Sequence, residues 1–311
     1  MSQTDDALAV SLLCSRLLPD DAAPLTGRDV CSLRQSGVPL GPLLTHVPAD
    51  LPGRLTTERL EGRMALRRTW GLIAEQLDAK GIRVLTVEDH DYPDALRSRL
   101  GPAAPALLYV AGDPSLLASP GIGIVGSRDI DEDGADATRQ VAEEAVRLGR
   151  PVVSGAARGV DRLAMDAAFQ HGGAVVAFPA DSMGRLLRQA EVRRGVLDGQ
   201  VALATPYNPD ARFTVGNAMG RNKLIYAQAA LTVVIATADG SGGTWEGATE
   251  ALTKGYGRVA VWTGPGAGPG NEKLIDGGAA PLAAAADLEQ VCQPPSTDAQ
   301  QSMPEQLGLA V

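Results

Sequence analysis

From Gly121 onward the chain alternates short, almost wholly apolar runs with longer amphipathic stretches. The runs Gly121–Val125, Pro151–Val153, Ala174–Phe178, Val201–Ala204, Leu231–Ala236 and Arg258–Trp262 are too short for helices and apolar on both faces. That is the mark of strands buried inside a parallel sheet. Between them, apolar residues recur at helical spacing over Gly134–Leu148, Val160–His171, Val215–Ala229 and Thr244–Lys254. Strands alternating with helices predict an extended Rossmann-like α/β fold, a doubly wound parallel sheet covered on both faces. Upstream, from Ala7 to about Arg99, Leu, Ala and Val at helical spacing are interrupted by Pro19, Pro24, Pro39, Pro42, Pro48 and Pro52. This predicts a small helical N-terminal domain of short helices, the longest over Leu60–Lys80. Arg83–Val87, a short helix ending near Leu100 and Ala106–Ala111 predict two further strands docked on the edge of the main sheet. The expected boundaries are 1–80 for the helical domain, 81–291 for the Rossmann-like domain and 292–311 for a disordered tail rich in Gln, Pro, Ser and Thr.

Composition narrows the chemistry. The 311 residues are 44% hydrophobic and 21% charged, as in a folded soluble protein, but the formal net charge is -9. A protein that coats nucleic acid through bulk charge is basic, so any such contact here requires a local basic pocket in an acidic body. The three cysteines, Cys14, Cys31 and Cys292, have no paired spacing, which fits a reduced, cytoplasmic setting. No apolar run approaches the roughly 20 residues that span a bilayer, and Asp5 and Asp6 replace the basic start of a signal peptide. His46, His90 and His171 are scattered. With no metal-ligand cluster and no Ser/His/Asp grouping, no catalytic residue, metal or cofactor is assigned.

Four Gly-rich turns carry the candidate chemistry: Gly126-Ser127-Arg128, Ser154-Gly155-Ala156-Ala157-Arg158-Gly159, Gly220-Arg221-Asn222-Lys223 and Ser241-Gly242-Gly243-Thr244. Three of them follow expected strands. Loops at the carboxyl ends of parallel strands share one crevice, where glycine lets backbone N–H groups approach an anion and helix N-termini point at it. Read alone, Gly126-Ser127-Arg128 suits a tight βα turn with a solvated arginine as well as it suits a phosphate. Gly121, Gly123 and Gly126 do not form a dinucleotide-binding turn, because they lie within the strand. Arg158 stands at the mouth of a helix, where a cation opposes the helix dipole unless an anion binds beside it. Asp161 can start that helix or pair with Arg158 or Arg162. Arg221 and Lys223 place two cations in one helical turn, and Asn222 between them can read a base edge or brace a loop. Thr244 and Glu246 open a helix, Glu246 favouring its dipole. Trp245 can pack or stack on a base, and Phe213 beside Arg212 offers a base platform.

In order along the chain, Gly81-Ile82, Asp91-Tyr92-Pro93, Leu107-Leu108-Tyr109, Gly112, Val125 to Arg128, Val153 to Asp161, Arg221-Asn222-Lys223 and Gly277-Gly278-Ala279 resemble the DprA/Smf family of DNA-processing proteins. The resemblance covers roughly Gly81 to Leu282. It implies an extended Rossmann-like fold, single-stranded DNA bound in a basic pocket at the strand ends, assistance in loading a RecA-type recombinase during DNA uptake, and a homodimer. It implies further that Arg128, Arg158, Arg221 and Lys223 hold phosphates, with Ser127, Gly155 and Asn222 shaping the pocket. Gly126, Ser154, Gly220, Gly242, Gly243 and Thr244 complete the expected DNA-contacting set.

The chain departs from that family where Ser-Gly-Ser-Leu-x-Thr is replaced by Ser241-Gly242-Gly243-Thr244-Trp245-Glu246, and where Met219-Gly220 replaces the aromatic before the Arg-Asn pair. The short tail has no room for a C-terminal winged helix. Gly242-Gly243-Thr244 also resembles the phosphate loop of Lonely Guy-type nucleotide phosphoribohydrolases, with Arg221 and Lys223 about one helix earlier. In that alternative, or in a nucleotide-sensing variant of it, Glu246 or Glu250 replaces the catalytic glutamate expected at Gly247.

Overall fold

Side chains of successive strand residues point to opposite faces, so a strand apolar throughout requires cover on both sides. A computed structural model, describing residues 4–19 and 23–293, shows how that cover is supplied. Helices α1 (Asp5–Cys14), α2 (Gly27–Gln35), α3 (Thr57–Ala65) and α4 (Arg67–Ala79) precede the sheet. The chain continues through β1 (Ile82–Thr86), α5 (Asp94–Leu100), β2 (Leu107–Ala111), β3 (Gly121–Val125), α6 (Glu132–Arg147), β4 (Val152–Ser154) and α7 (Val160–Gln170). Then follow β5 (Val175–Ala177), α8 (Met183–Leu187), α9 (Ala190–Leu197), β6 (Val201–Thr205), α10 (Val215–Gln228) and β7 (Ala229–Val234). The described chain closes with α11 (Gly243–Lys254), β8 (Arg258–Trp262), α12 (Asn271–Asp276), β9 (Ala280–Leu282) and α13 (Leu288–Cys292). Of the disordered tail expected over 292–311, Cys292 instead ends α13, and the residues beyond 293 lie outside the described residues.

The strands form one sheet in the order β1-β2-β6-β5-β4-β3-β7-β8-β9. The run from β6 to β9 is parallel, as the periodicity predicts, whereas β1 and β2 add an antiparallel edge. Ile122, Ile124, Leu231 and Val233 face one hydrophobic cluster, built with α1 to α4, α6 to α9 and α13. Val125, Val153 and Val234 face the other, built with α5, α10, α11 and α12. The glycines of β3 answer to close neighbours rather than to a ligand. A Cβ on Gly123 would meet the side chain of Thr232 on β7, and one on Gly121 would strike the Pro151 carbonyl.

The single helix expected over Leu60–Lys80 is two helices that meet at Leu66. Their buried faces serve different neighbours. Arg63 of α3 is buried and donates to the carbonyls of Leu12 and Ser15 at the end of α1, while α4 lays Trp70 and Leu77 into the core beside β1. Five elements escape the pattern reading: α8, α9, α12, α13 and β9. The four helices have 5, 8, 6 and 5 residues, too few turns for a helical period to stand out, and the 3-residue β9 contains Pro281. Among the described residues no helix is long and apolar enough to cross a membrane.

After β6 the chain returns across the sheet to lay β7 on the far side of β3, which makes the β3/β7 boundary the switch point where a crevice opens. Buried Asn271 clamps this region. Its amide donates to the carbonyls of Ile235 and Trp262 at 2.8 Å, and its oxygen accepts from the Thr237 N–H at 3.1 Å. Replacing it leaves three buried backbone groups unpaired. Asn271→Ala is therefore expected to lower unfolding free energy by about 2–4 kcal/mol in urea denaturation.

Candidate functional site

The carboxyl ends of β3 and β7 and the start of α10 enclose a cleft of about 510 Å³. The turn after β3 supplies Gly126, Ser127, Arg128 and Asp129, and the segment after β7 supplies Thr237, Ala238 and residues 241–244. The first turns of α10 close the third side. The β3 turn is held open by its own bonds. The Ser127 N–H donates to the Ala236 carbonyl, the Ser127 carbonyl accepts from Val160, and the Ser127 hydroxyl donates to the Asp129 carbonyl at 2.7 Å. Gly126 cannot carry a Cβ, because it would lie 2.6 Å from Val160 at the start of α7.

Arg128 is exposed, and its guanidinium lies 5.3 Å from the centroid of the Phe213 ring on the facing loop. Phe213, Val215 and Met219 are 48%, 67% and 44% exposed and make an apolar rim around one side of the cleft. Opposite them α11 begins just after Gly242, whose φ of 90° only glycine tolerates well, and no side chain caps the helix. Uncapped N–H groups at a helix start attract an anion. Thr244 donates its hydroxyl to the Gly126 carbonyl at 2.9 Å, and the Asn222 amide donates to the Gly243 carbonyl at 3.0 Å. Asn222 is thus the brace of this loop, one of the two roles open to it from sequence.

Below the rim, Arg221 is 4% exposed and donates from Nη1 to the Phe178 carbonyl at 2.6 Å, while its Nε has no hydrogen-bond partner. Asp161, buried beside it, accepts from the Gly155 N–H at 3.1 Å and also from the Ala157 N–H. Burial pushes the Asp161 carboxyl above its ordinary pKa against the pull of Arg221. Burial likewise lowers Arg221, which the Asp161 charge counters. The Tyr226 hydroxyl, fully buried and unpaired, also borders the cleft, and burial raises its pKa. Tyr226 stands four residues after Asn222, so helical spacing alone places the two on one face and could have disclosed it.

Several expected ligand contacts are used otherwise. The Ser154 hydroxyl donates to the Ile124 carbonyl at 2.7 Å, stapling β4 to β3. Gly155 gives its N–H to Asp161, so the 154–159 turn is wrapped around the protein's own carboxylate and neither residue lines the cleft. Arg158 meets Asp129 at 3.1 Å, which supplies the anion its position requires. Lys223 is turned away from the cleft and donates from Nζ to the Ala103 carbonyl at 2.8 Å, half-buried, which lowers its pKa. Residues two apart on a helix point to different faces, so Arg221 and Lys223 do not act as a pair. Gly220 lies against the Tyr207 hydroxyl at the outer end of that turn. Trp245 packs on the second hydrophobic cluster, and Glu246 lines the cleft.

Fold and site together define a Rossmann-like α/β protein with a cleft at the topological switch point of its sheet. Residues 83–293 match the DNA recombination-mediator protein A family, and the chain belongs to this DprA/Smf family. The Smf protein of Synechocystis sp. is 34% identical over 107 residues, 33% of this chain and 26% of that protein. The chain thus matches about a quarter of the length of that relative. The X-ray structure of DNA processing protein A from Streptococcus pneumoniae aligns with a TM-score of 0.69 at 22% identity, over 93% of this chain and 98% of the other. The Helicobacter pylori protein, described for its unique single-stranded DNA binding mode, aligns with a TM-score of 0.56 at 23% identity, over 67% of this chain and 94% of the other. At these identities the two structures establish a common fold.

A Cβ on Gly155 would overlap Arg221 Nη1 and come within 2.5 Å of Asp161 Oδ2, whereas one on Gly243 meets open space. Urea denaturation should register Gly155→Ala as a loss of about 1–3 kcal/mol. Gly243→Ala should stay within about 0.5 kcal/mol of the parent.

Proposed function

We propose that this chain binds single-stranded DNA in the cleft and serves as a cytoplasmic DNA-processing protein. In this reading it protects the strand and assists the loading of a RecA-type recombinase in DNA uptake or recombination, acts as a homodimer, and catalyses no reaction. The observation that carries it is the meeting of the Arg128–Phe213 stack, the uncapped start of α11 and Arg221 in one cleft. A phosphate suits the N–H groups of α11 and the guanidinium of Arg128, and a base suits the face of Phe213. Family membership and the single-stranded DNA binding described for the Helicobacter pylori protein support the same ligand. The phosphoribohydrolase alternative asks Arg221 and Lys223 to act together on one substrate, and the position of Lys223 at Ala103 counts against it. Glu246 in the cleft keeps release of a base worth measuring.

The test is fluorescence anisotropy with labelled oligo-dT at several salt concentrations, with nucleoside monophosphate as competitor. Binding should weaken as salt rises and resist the monophosphate. Arg128→Ala should lower affinity on the order of tenfold and flatten the logarithmic salt dependence by about 0.7, the value for one lost single-strand phosphate contact. Lys223→Ala should bind as the parent does. An Arg128→Ala protein of unchanged affinity removes the cleft assignment, and release of free base from the monophosphate replaces the reading with the enzyme.

A further inference from the structure

At the far edge of the sheet from β9, strand β1 has a partner on one side only. Its register with β2 is antiparallel, and the Val87 N–H donates to the Ala106 carbonyl across that pair. Hydrogen-bonded pairs alternate along an antiparallel ladder, so Arg83 and Leu85 also face β2 while Ile82, Val84 and Thr86 turn their backbone groups outward. Thr86 is satisfied, since Asp89 Oδ2 accepts from both its N–H and its hydroxyl at 2.7 Å. Among the described residues no hydrogen bond reaches the outward backbone of Ile82 or Val84; Ile82 is itself buried at 2% exposure, and Val84 is the partly open position of the edge. Unpaired backbone along an edge strand is a template for another strand.

The edge opens into a trough of about 730 Å³ between α4 and the loop after β1. Trp70 and Ala74 give it an apolar wall. Its charges are mostly of one sign. Glu75 and Asp78 on α4 and Asp89 and Asp91 on the loop face it, against Arg83 and His90, and His90 is beside Asp91 at 3.5 Å. Glu75 and Asp78 are exposed on the helix that borders the edge strand.

We propose that this trough is a docking site for an extended basic peptide segment of another protein, which adds as a strand to β1 and sets its Lys or Arg side chains against these carboxylates. Main-chain bonds at Val84 would supply affinity, and the acidic walls would select the charge. A second copy of the chain is the wrong occupant. Edge-to-edge pairing of two β1 strands would bring both sets of carboxylates together, in a protein already at -9. The chain's own last stretch, from Pro294 to Val311, contains Asp298 and Glu305 and no Lys or Arg, so it does not fit either.

The experiment uses the full chain and a fluorescein-labelled nine-residue probe peptide of alternating Lys or Arg and Val, read by anisotropy and by amide hydrogen exchange. Binding with slowed exchange at Val84 is the expected result. Val84→Pro removes an outward donor while sparing the bonds to β2, as proline is tolerated on an edge strand. It should weaken binding roughly fivefold to tenfold with the thermal melt unchanged. Glu75→Lys with Asp78→Lys should weaken it on the order of tenfold at low salt. Absence of binding overturns the proposal, as does binding that Val84→Pro leaves intact, which would mean charge attraction to an acidic surface without strand addition. A dimer on ultracentrifugation without peptide that Val84→Pro converts to monomer would replace it with self-association through β1.

Discussion

Gly155 is the point on which the site depends. Two buried charged side chains, Arg221 and Asp161, approach its Cα so closely that no side chain fits there. Burying a charge is costly unless it is paired and hydrogen-bonded. Here the carboxylate collects the N–H groups of the 155–157 turn, and the guanidinium collects the Phe178 carbonyl at the end of β5. The arrangement locks the loops after β4 and β5 to α10. With α10 fixed, Asn222 can brace the start of α11, and Thr244 can tie that start to the β3 turn. The cleft is the space these ties leave open.

Much of this was legible in the sequence, for a physical reason. A parallel strand buried on both faces is a continuous apolar run, so β3 and β8 coincide with their expected ranges and the other central strands shift by a residue or two. The Gly-rich turns were visible too, because glycine is kept where a backbone passes close to something. What passes close was not visible. Near Gly155 it is a side chain from α10, more than sixty positions away in the chain, and near Gly123 it is Thr232. Local spacing therefore marks the turns correctly while assigning their donors to a ligand that the protein's own Asp161 replaces. Lys223 shows the same limit. Adjacency in sequence grouped it with Arg221, and the 100° step of the helix separated them.

The surplus of cations in the cleft is small. Of the four basic residues that the turns offered, Arg158 is matched by Asp129, Lys223 is elsewhere, and Arg221 is shared with Asp161. Arg128 is left as the exposed cation of the β3 turn, resting on Phe213. On the proposed reading, a cleft so composed would hold an anion through short-range contacts and oriented N–H groups rather than through a broad field. In an acidic body this has an advantage. The net negative body repels anions at long range, while on the proposed reading a ligand that presents both a phosphate and a ring face would find partners for each in the cleft.

The acidic trough at β1 and the proposed DNA cleft occupy one protein without conflict because of distance. Five strand spacings separate β1 from β3 in the sheet order, roughly 24 Å at about 4.8 Å per spacing. That is well beyond the Debye length of about 8 Å at physiological salt. The carboxylates of the trough therefore add little repulsion for an anion in the cleft, and the cations of the cleft do little to screen the trough. Opposite charge preferences become compatible once a wide sheet holds them apart. The antiparallel pair β1 and β2 provides two of those five spacings, which gives this edge of the sheet a consequence for binding beyond its contribution to the core.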